Sequence, residues 1–215
     1  VPESSFLKEV CPAAKSLTIR FVRTCMSVSP FPDPSVKSEP TRWEYGVSLC
    51  LLDKIPMEGR MIDGRVGYFT NKVRNYDNAV YDKGECEFIS RWKLVPHREQ
   101  LEAYLGGDLV EPIKPIVFYI DKQIPTWLYP YVKRAVEAWQ PAFERAGFKN
   151  AILARPEPTY AEDSVFSVDN ARYAYISYKT SPLKNAYGPS SVDPRSGEIL
   201  CSHIGIFNSI SDLVQ

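Results

Sequence analysis

Histidine is nearly missing from this chain: His97 and His203 are the only two among 215 residues. That scarcity restricts any chemistry built on imidazole, whether metal ligation or proton transfer. An excess of one charge is missing as well, with Lys+Arg and Asp+Glu at 26 each, so no overall field points to nucleic acid or an anionic membrane as a partner. There is no run of 18 apolar residues, hence no segment that reads as a membrane span. Five cysteines (Cys11, Cys25, Cys50, Cys86, Cys201) stand far apart without a C-x-x-C pair. The odd count argues against a fully paired disulfide framework, and the thiols read as free, buried, small apolar side chains. Neither G-x-x-x-x-G-K-[ST] nor G-x-G-x-x-G occurs, which removes the usual phosphate-binding loops. No charged-then-apolar leader is visible at Val1, and the chain reads as a segment excised from a longer protein.

What is present suits a β-rich protein with a real core: 44% of residues are apolar, and Tyr (13) and Phe (10) are plentiful. Apolar and polar residues alternate through residues 17–22 and 44–51, and again through 85–95, where Cys86, Phe88, Trp92 and Leu94 share one side. A period of two predicts half-buried antiparallel strands with one face on a core and one in water. The proline-rich stretch 27–40 predicts a surface loop. In GRMIDGRVGYFT (59–70), three glycines among Arg60, Asp63 and Arg65 predict a tight, ion-paired turn. Its charge also suggests a second expectation, that the segment lies against a neighbouring cleft and restrains it. A proline-flanked connection around Gly106-Gly107 marks the expected boundary between modules over 1–110 and 111–215.

From residue 116 the pattern changes. IVFYI (116–120) is a continuous apolar run, as in a strand covered on both faces. A helix is expected from about Thr126 to Gly147, with Val132, Val136, Trp139 and Phe143 on one stripe and Pro141 kinking it or ending its regular part. Strands follow at 151–154 and 172–178, and Asp169 is placed to pair with Arg172. The strand–helix–strand order implies a parallel crossover. Overall the sequence predicts an α+β fold, a β-rich antiparallel module followed by a mixed sheet.

The last stretch, AYGPSSVDPRSGEILCSHIGIF (186–207), reads as a β-hairpin. Its first arm is 186–192, Asp193-Pro194-Arg195-Ser196-Gly197 is the turn, and 198–207 is the second arm. Gly188 and Pro189 make the first arm an edge strand, open to an extended peptide. The candidate substrate-binding residues are Tyr187, Gly188, Pro189, Ser190 and Ser191, acting through their main chain. Ser190 and Ser191 lack the G-x-S-x-G setting of a nucleophile. Cys201 and His203 share a strand face, yet no further ligands lie nearby in sequence, so His203 reads as an ordinary strand histidine and His97 as exposed. The neighbouring carboxylates of Glu162 and Asp163 read as solvated loop residues.

PIVFYID (115–121), VEAWQPAFERAGFKNAI (136–152), DNARYAYISY (169–178) and above all NAYGPSSVDPRSGEILCSHIGIF (185–207) together resemble the amino-terminal subdomain of metzincin-type zinc metallopeptidases. More closely they resemble a bacterial, Bacteroidetes-type family of large zinc-dependent metalloproteases. GRMIDGRVGYFT and FISRWKLVP resemble the β-rich module that precedes the peptidase domain there. The resemblance implies a peptide or protein substrate held along residues 186–192, Zn2+ as cofactor of the complete protein, and an extracytoplasmic setting. In that family zinc is held by H-E-x-x-H-x-x-G-x-x-H, with the Glu as general base. No H-E-x-x-H occurs in this sequence. The expectation is therefore that ligands and base lie beyond Gln215, that no metal is bound within these residues, and that the chain alone hydrolyses nothing. The rival expectation is a non-catalytic module that binds peptides by strand addition.

Overall fold

The computed structural model describes residues 4–26, 40–74 and 84–213, so most of the proline-rich loop expected at 27–40 lies outside the described residues. The protein has an α+β fold, and its residues divide into two compact units, Val1–Leu51 with Ser167–Ala171, and Leu52–Phe166 with Arg172–Gln215. Residue 110, the expected boundary, falls inside the second unit. Val110 is buried there, donating to the Gly147 carbonyl and accepting from the Lys149 amide.

In the first unit, β1 (Phe6–Ala13), β2 (Ser16–Met26) and β3 (Pro40–Cys50) form an antiparallel sheet in that order. The alternation at 17–22 and 44–51 produces β2 and β3, with Ile19 opposite Val47 and Phe21 opposite Tyr45. The sequence gives no alternating signal for β1, because a bulge between Leu7 and Glu9 interrupts its pattern and Pro12 sits near its end. The burial of this sheet reverses the expectation. Its polar side is the covered one: Ser16, Thr18 and Thr24 are buried together with Val22. Segment Ser167–Ala171 lies over that side, where the Ala171 amide donates to Ser48 Oγ (3.1 Å) and Arg20 Nε to Asp169 Oδ2 (2.8 Å). Asp169 thus forms an ion pair with Arg20. The apolar side, with Tyr45, Val47 and Leu49, stays exposed.

The second unit is built on β6 (Ile116–Ile120), β7 (Ile152–Pro156), β8 (Ala174–Lys179), β9 (Ala186–Tyr187), β10 (Ser190–Asp193) and β11 (Glu198–Phe207). Strand order is β10-β11-β8-β6-β7, with β9 also paired to β11. β6 runs parallel to both β7 and β8, and β8 parallel to β11, so the expected crossover is present. Ile116, Phe118 and Ile120 turn one way and meet Val132, Val136 and Ile176 in the main core.

The helical region is two helices, α2 (Tyr129–Glu137) and α3 (Gln140–Arg145), each with proline in its first turn. Val132 and Val136 are buried as expected and Phe143 packs on the core, but Trp139 is 63% exposed. It sits at the break that Pro141 forces, where the helical phase is lost. Gln140 fastens α3 to the sheet, its Nε2 donating to Ile152 O (2.7 Å) and its Oε1 accepting from the Ala151 amide (3.3 Å).

A small antiparallel pair, β4 (Thr70–Arg74) and β5 (Glu85–Ile89), completes this unit with a short helix α1 (Leu101–Leu105). The strand expected across 85–95 stops at Ile89. Ile89 is buried, although alternation assigned it to the solvent side, while Trp92 and Leu94 do pack on the main core. Among the described residues no helix is long and apolar enough to cross a membrane. Of the five cysteines only Cys201 is buried; the other four are half-buried, because they sit on or beside sheet faces that are only partly covered.

The break in the helical phase is testable. Val136→Ala should lower stability by about 2 kcal/mol through lost burial, whereas Trp139→Ala should change it by less than about 0.5 kcal/mol. Denaturant unfolding of the two variants checks both values.

Candidate functional site: the open edge of the mixed sheet

The hairpin turn is held by one buried carboxylate. Asp193 is 2% exposed, and its Oδ1 accepts from the Arg195 amide (2.9 Å) and Nε (3.0 Å) while Oδ2 accepts from Nη2 (2.7 Å). The Asp193 carbonyl closes the turn by accepting from the Gly197 amide (2.9 Å). The Arg195 guanidinium beside Asp193 holds the carboxyl below its usual range, against the opposing effect of burial. Gly197 has φ of +74°, and a Cβ there would stand 2.3 Å from the Ile89 carbonyl oxygen, so only glycine fits.

The turn is also where the upstream part of the same unit docks. The Arg91 amide donates to Gly197 O, the Ile199 amide donates to Arg91 O, and Arg195 Nη2 reaches Asp53 O at 2.8 Å. The 59–70 segment lies beside β5, bonding through the Ile62 amide to Glu87 O and accepting at Arg60 O from the Ile89 amide. Its expected ion-paired turn is present, with Arg65 Nη2 2.5 Å from Asp63 Oδ2. The segment therefore backs onto the turn end of the hairpin by way of β5, and the Asp63 carboxylate is occupied by Arg65.

Residues 186–191, which hold all five candidate binding residues, are exposed along the outer side of β11. The ladder fixes which backbone groups face outward. The His203 amide donates to Pro189 O (3.0 Å) and the Phe207 amide to Asn185 O (3.4 Å), with Tyr187 opposite Gly205 between them. In an antiparallel pair alternate residues address the partner, so Asn185, Tyr187 and Pro189 turn inward and Ala186, Gly188 and Ser190 turn outward. The Ala186 amide is covered by the Asn185 side chain (2.8 Å), which leaves the Ala186 carbonyl and both main-chain groups of Gly188 and Ser190 on the open edge. Pro189 lies at an inward position, where its carbonyl accepts from both the His203 amide and Ser202 Oγ.

The five candidates thus differ in role. Gly188 and Ser190 present main chain, while Pro189 and Ser191 join β11. Tyr187 packs its ring against Gly205, where a Cβ would come within 2.5 Å of it, and the ring is flanked by Phe207 and by Lys179, whose Nζ contacts the hydroxyl.

His203 Nε2 lies 3.1 Å from Tyr173 O, a satisfied strand histidine, and His97 is exposed. Among the described residues no group of three or more His, Cys, Asp or Glu side chains is placed to hold a metal ion. The described residues by themselves do not fit a zinc centre.

One polar set escaped the sequence reading. Tyr175 is buried and bonds through its hydroxyl to Glu157, and the Tyr173 hydroxyl donates to Asp163 Oδ2 (2.7 Å). Burial first, and then the Asp163 carboxylate, push the Tyr173 hydroxyl up to about 12. Glu162 caps Thr159, with Oε2 2.7 Å from its amide, so neither carboxylate of the 162–163 pair is simply solvated. The alternation in RYAYISY gave the signal: it places Tyr173 and Tyr175 opposite Ala174 and Ile176.

Residues 1–97 are similar to a family described as a Domain of unknown function (DUF5117). No curated protein and no solved structure matches the chain.

Because the folded Asp193 carboxyl titrates below its unfolded value near 3.8, its contribution is fully present above that pH and is lost as pH falls through the lower folded value. Asp193→Ala should cost about 2 kcal/mol at neutral pH and remove this acid-sensitive step. Amide exchange at Ser196 and Gly197, followed as pH is lowered, checks both.

Proposed function

We propose that this chain supplies the peptide-binding wall of a zinc-dependent metallopeptidase, with substrate laid as an added strand along residues 186–191. The observation that carries this reading is the open edge, where Gly188 and Ser190 turn amide and carbonyl outward without a partner strand among the described residues. Main-chain pairing of this kind accepts many sequences, which suits peptide or protein substrates. The resemblance of residues 115–207 to the metallopeptidase subdomain supports the hydrolytic part of the reading, and an extracytoplasmic setting accompanies it. Zinc, when bound, supplies carbonyl polarisation and an activated water. Its ligands and the general base come from residues other than those described here. This chain's own contribution is to hold the peptide extended and fix its register.

In the alternative, the same edge serves a strand-adding peptide binder without hydrolysis. Titration of an extended peptide into the isotope-labelled 215-residue chain tests the shared step, and amide shifts should concentrate at Gly188 and Ser190. Ser190→Pro deletes one outward donor without breaking the ladder and should weaken binding about tenfold, whereas Ser190→Ala should leave it unchanged. Shifts confined to another surface, or equal affinity of both variants, would defeat the proposal. Cleavage of bound peptide by the full-length parent protein in the presence of zinc separates peptidase from binder.

A further inference from the structure

Two glycines of the rim stand in like positions, and only one of them is filled. Gly205 is opposite Tyr187 in the ladder, and a Cβ on it would come within 2.5 Å of the Tyr187 ring. The register runs unbroken from Ala186 opposite Ile206 to Ser191 opposite Cys201, which sets Gly188 opposite Ile204. A Cβ on Gly188 would meet Ile204 Cγ1 at 3.5 Å, an ordinary contact, and no other described atom within 4 Å. Its φ also lies outside the left-handed region. Packing and backbone conformation among the described residues therefore do not call for glycine here, in contrast to Gly197 and Gly205. Glycine weakens a strand, and where no bulge or bend needs it, it marks a place that a ligand or another backbone approaches closely. The space that it leaves opens on Ile204, which is only half-buried although it packs on the main core.

We propose that an aromatic side chain of the guest strand fills this space, so that the edge selects extended peptides with Tyr, Phe or Trp opposite Gly188. This selection rests on the strand-addition reading above and adds the side chain that the edge prefers. The same arrangement already exists one strand further in, where Tyr187 and Gly205 face each other as an outer and an inner residue. Tyr187 turns its main chain toward Gly205, and Gly188 turns its own toward an antiparallel guest, so both are pairs that exchange main-chain bonds. Aromatic residues across from an edge glycine compensate it in this way. The atoms nearest a Cβ on Gly205 are Cε1, Cζ and the hydroxyl of Tyr187, the far end of the ring. Crossing one strand spacing of ~4.8 Å thus takes a whole ring, and alanine, valine or threonine stops short of Ile204.

Two end-blocked extended peptides that differ only in a central Tyr or Ala, titrated into the isotope-labelled 215-residue chain, test this. Both should shift the amides of Gly188 and Ser190. The Tyr peptide should bind about fivefold tighter and move the Ile204 methyl signals through its ring current. Gly188→Thr keeps the outward main chain and fills the space, so the Ala peptide should still bind and the advantage of Tyr should disappear. Equal affinity of the two peptides for the unsubstituted chain, unmoved Ile204 methyls, or an advantage of Tyr that survives Gly188→Thr overturns the selection and leaves strand addition standing. The comparison on the unsubstituted chain decides even where the substituted edge no longer binds. No shift at Gly188 and Ser190 with either peptide defeats the strand-addition reading itself, and the selection with it.

Discussion

The second unit depends on β11 having both of its sides taken. Over its ten residues it pairs in parallel with β8 on one side and in antiparallel with β9 and β10 on the other. This single strand joins a parallel core to an antiparallel rim, and it determines where the sheet stops. Had the first arm of the hairpin gone inside, next to β8, its outward groups would have been consumed by the ladder. The arm is outermost because β11 carries Ile204 and Ile206 to the core while the arm has no bulky apolar row of its own. The edge is therefore a consequence of which strand has core-forming side chains.

Much of this was readable from residue order. IVFYI at 116–120, the valines at 132 and 136, and the Asp-Pro-x-x-Gly turn each carry a local rule that the fold obeys. The failures have physical causes of their own. Trp139 followed the helical period on paper, but Pro141 ends one helix and starts another, and periodicity does not survive such a break. Ile89 departs from the alternation as the last residue of β5, where its backbone lies against the Gly197 turn. β1 escaped because a bulge erases alternation. The edge itself was legible from Gly188 and Pro189, whereas the distinction between inward and outward residues was not, since it depends on register with β11.

The first unit shows why a pattern of two gives faces but not their orientation. Residues 17–22 and 44–51 announce an apolar and a polar side with equal clarity. Which side is covered is decided by a segment more than a hundred residues later in the chain, through Asp169 and Ala171. Arg20 supplies the anchor, donating to Asp169 through Nε and to Ser167 through Nη2. The carboxylate keeps a charged partner near the sheet surface, which makes covering a polar face tolerable.

Pro189 sets how the rim is fastened. Standing at an inward position without an amide hydrogen, it leaves one rung out of the ladder between the Tyr187 and Ser191 pairings. The rim is thus clasped by two short ladders that are linked at Pro189 through its carbonyl alone, accepting from the His203 amide and Ser202 Oγ. A guest strand spanning both ladders would bind them into one, so that occupancy itself would stiffen the border of the sheet.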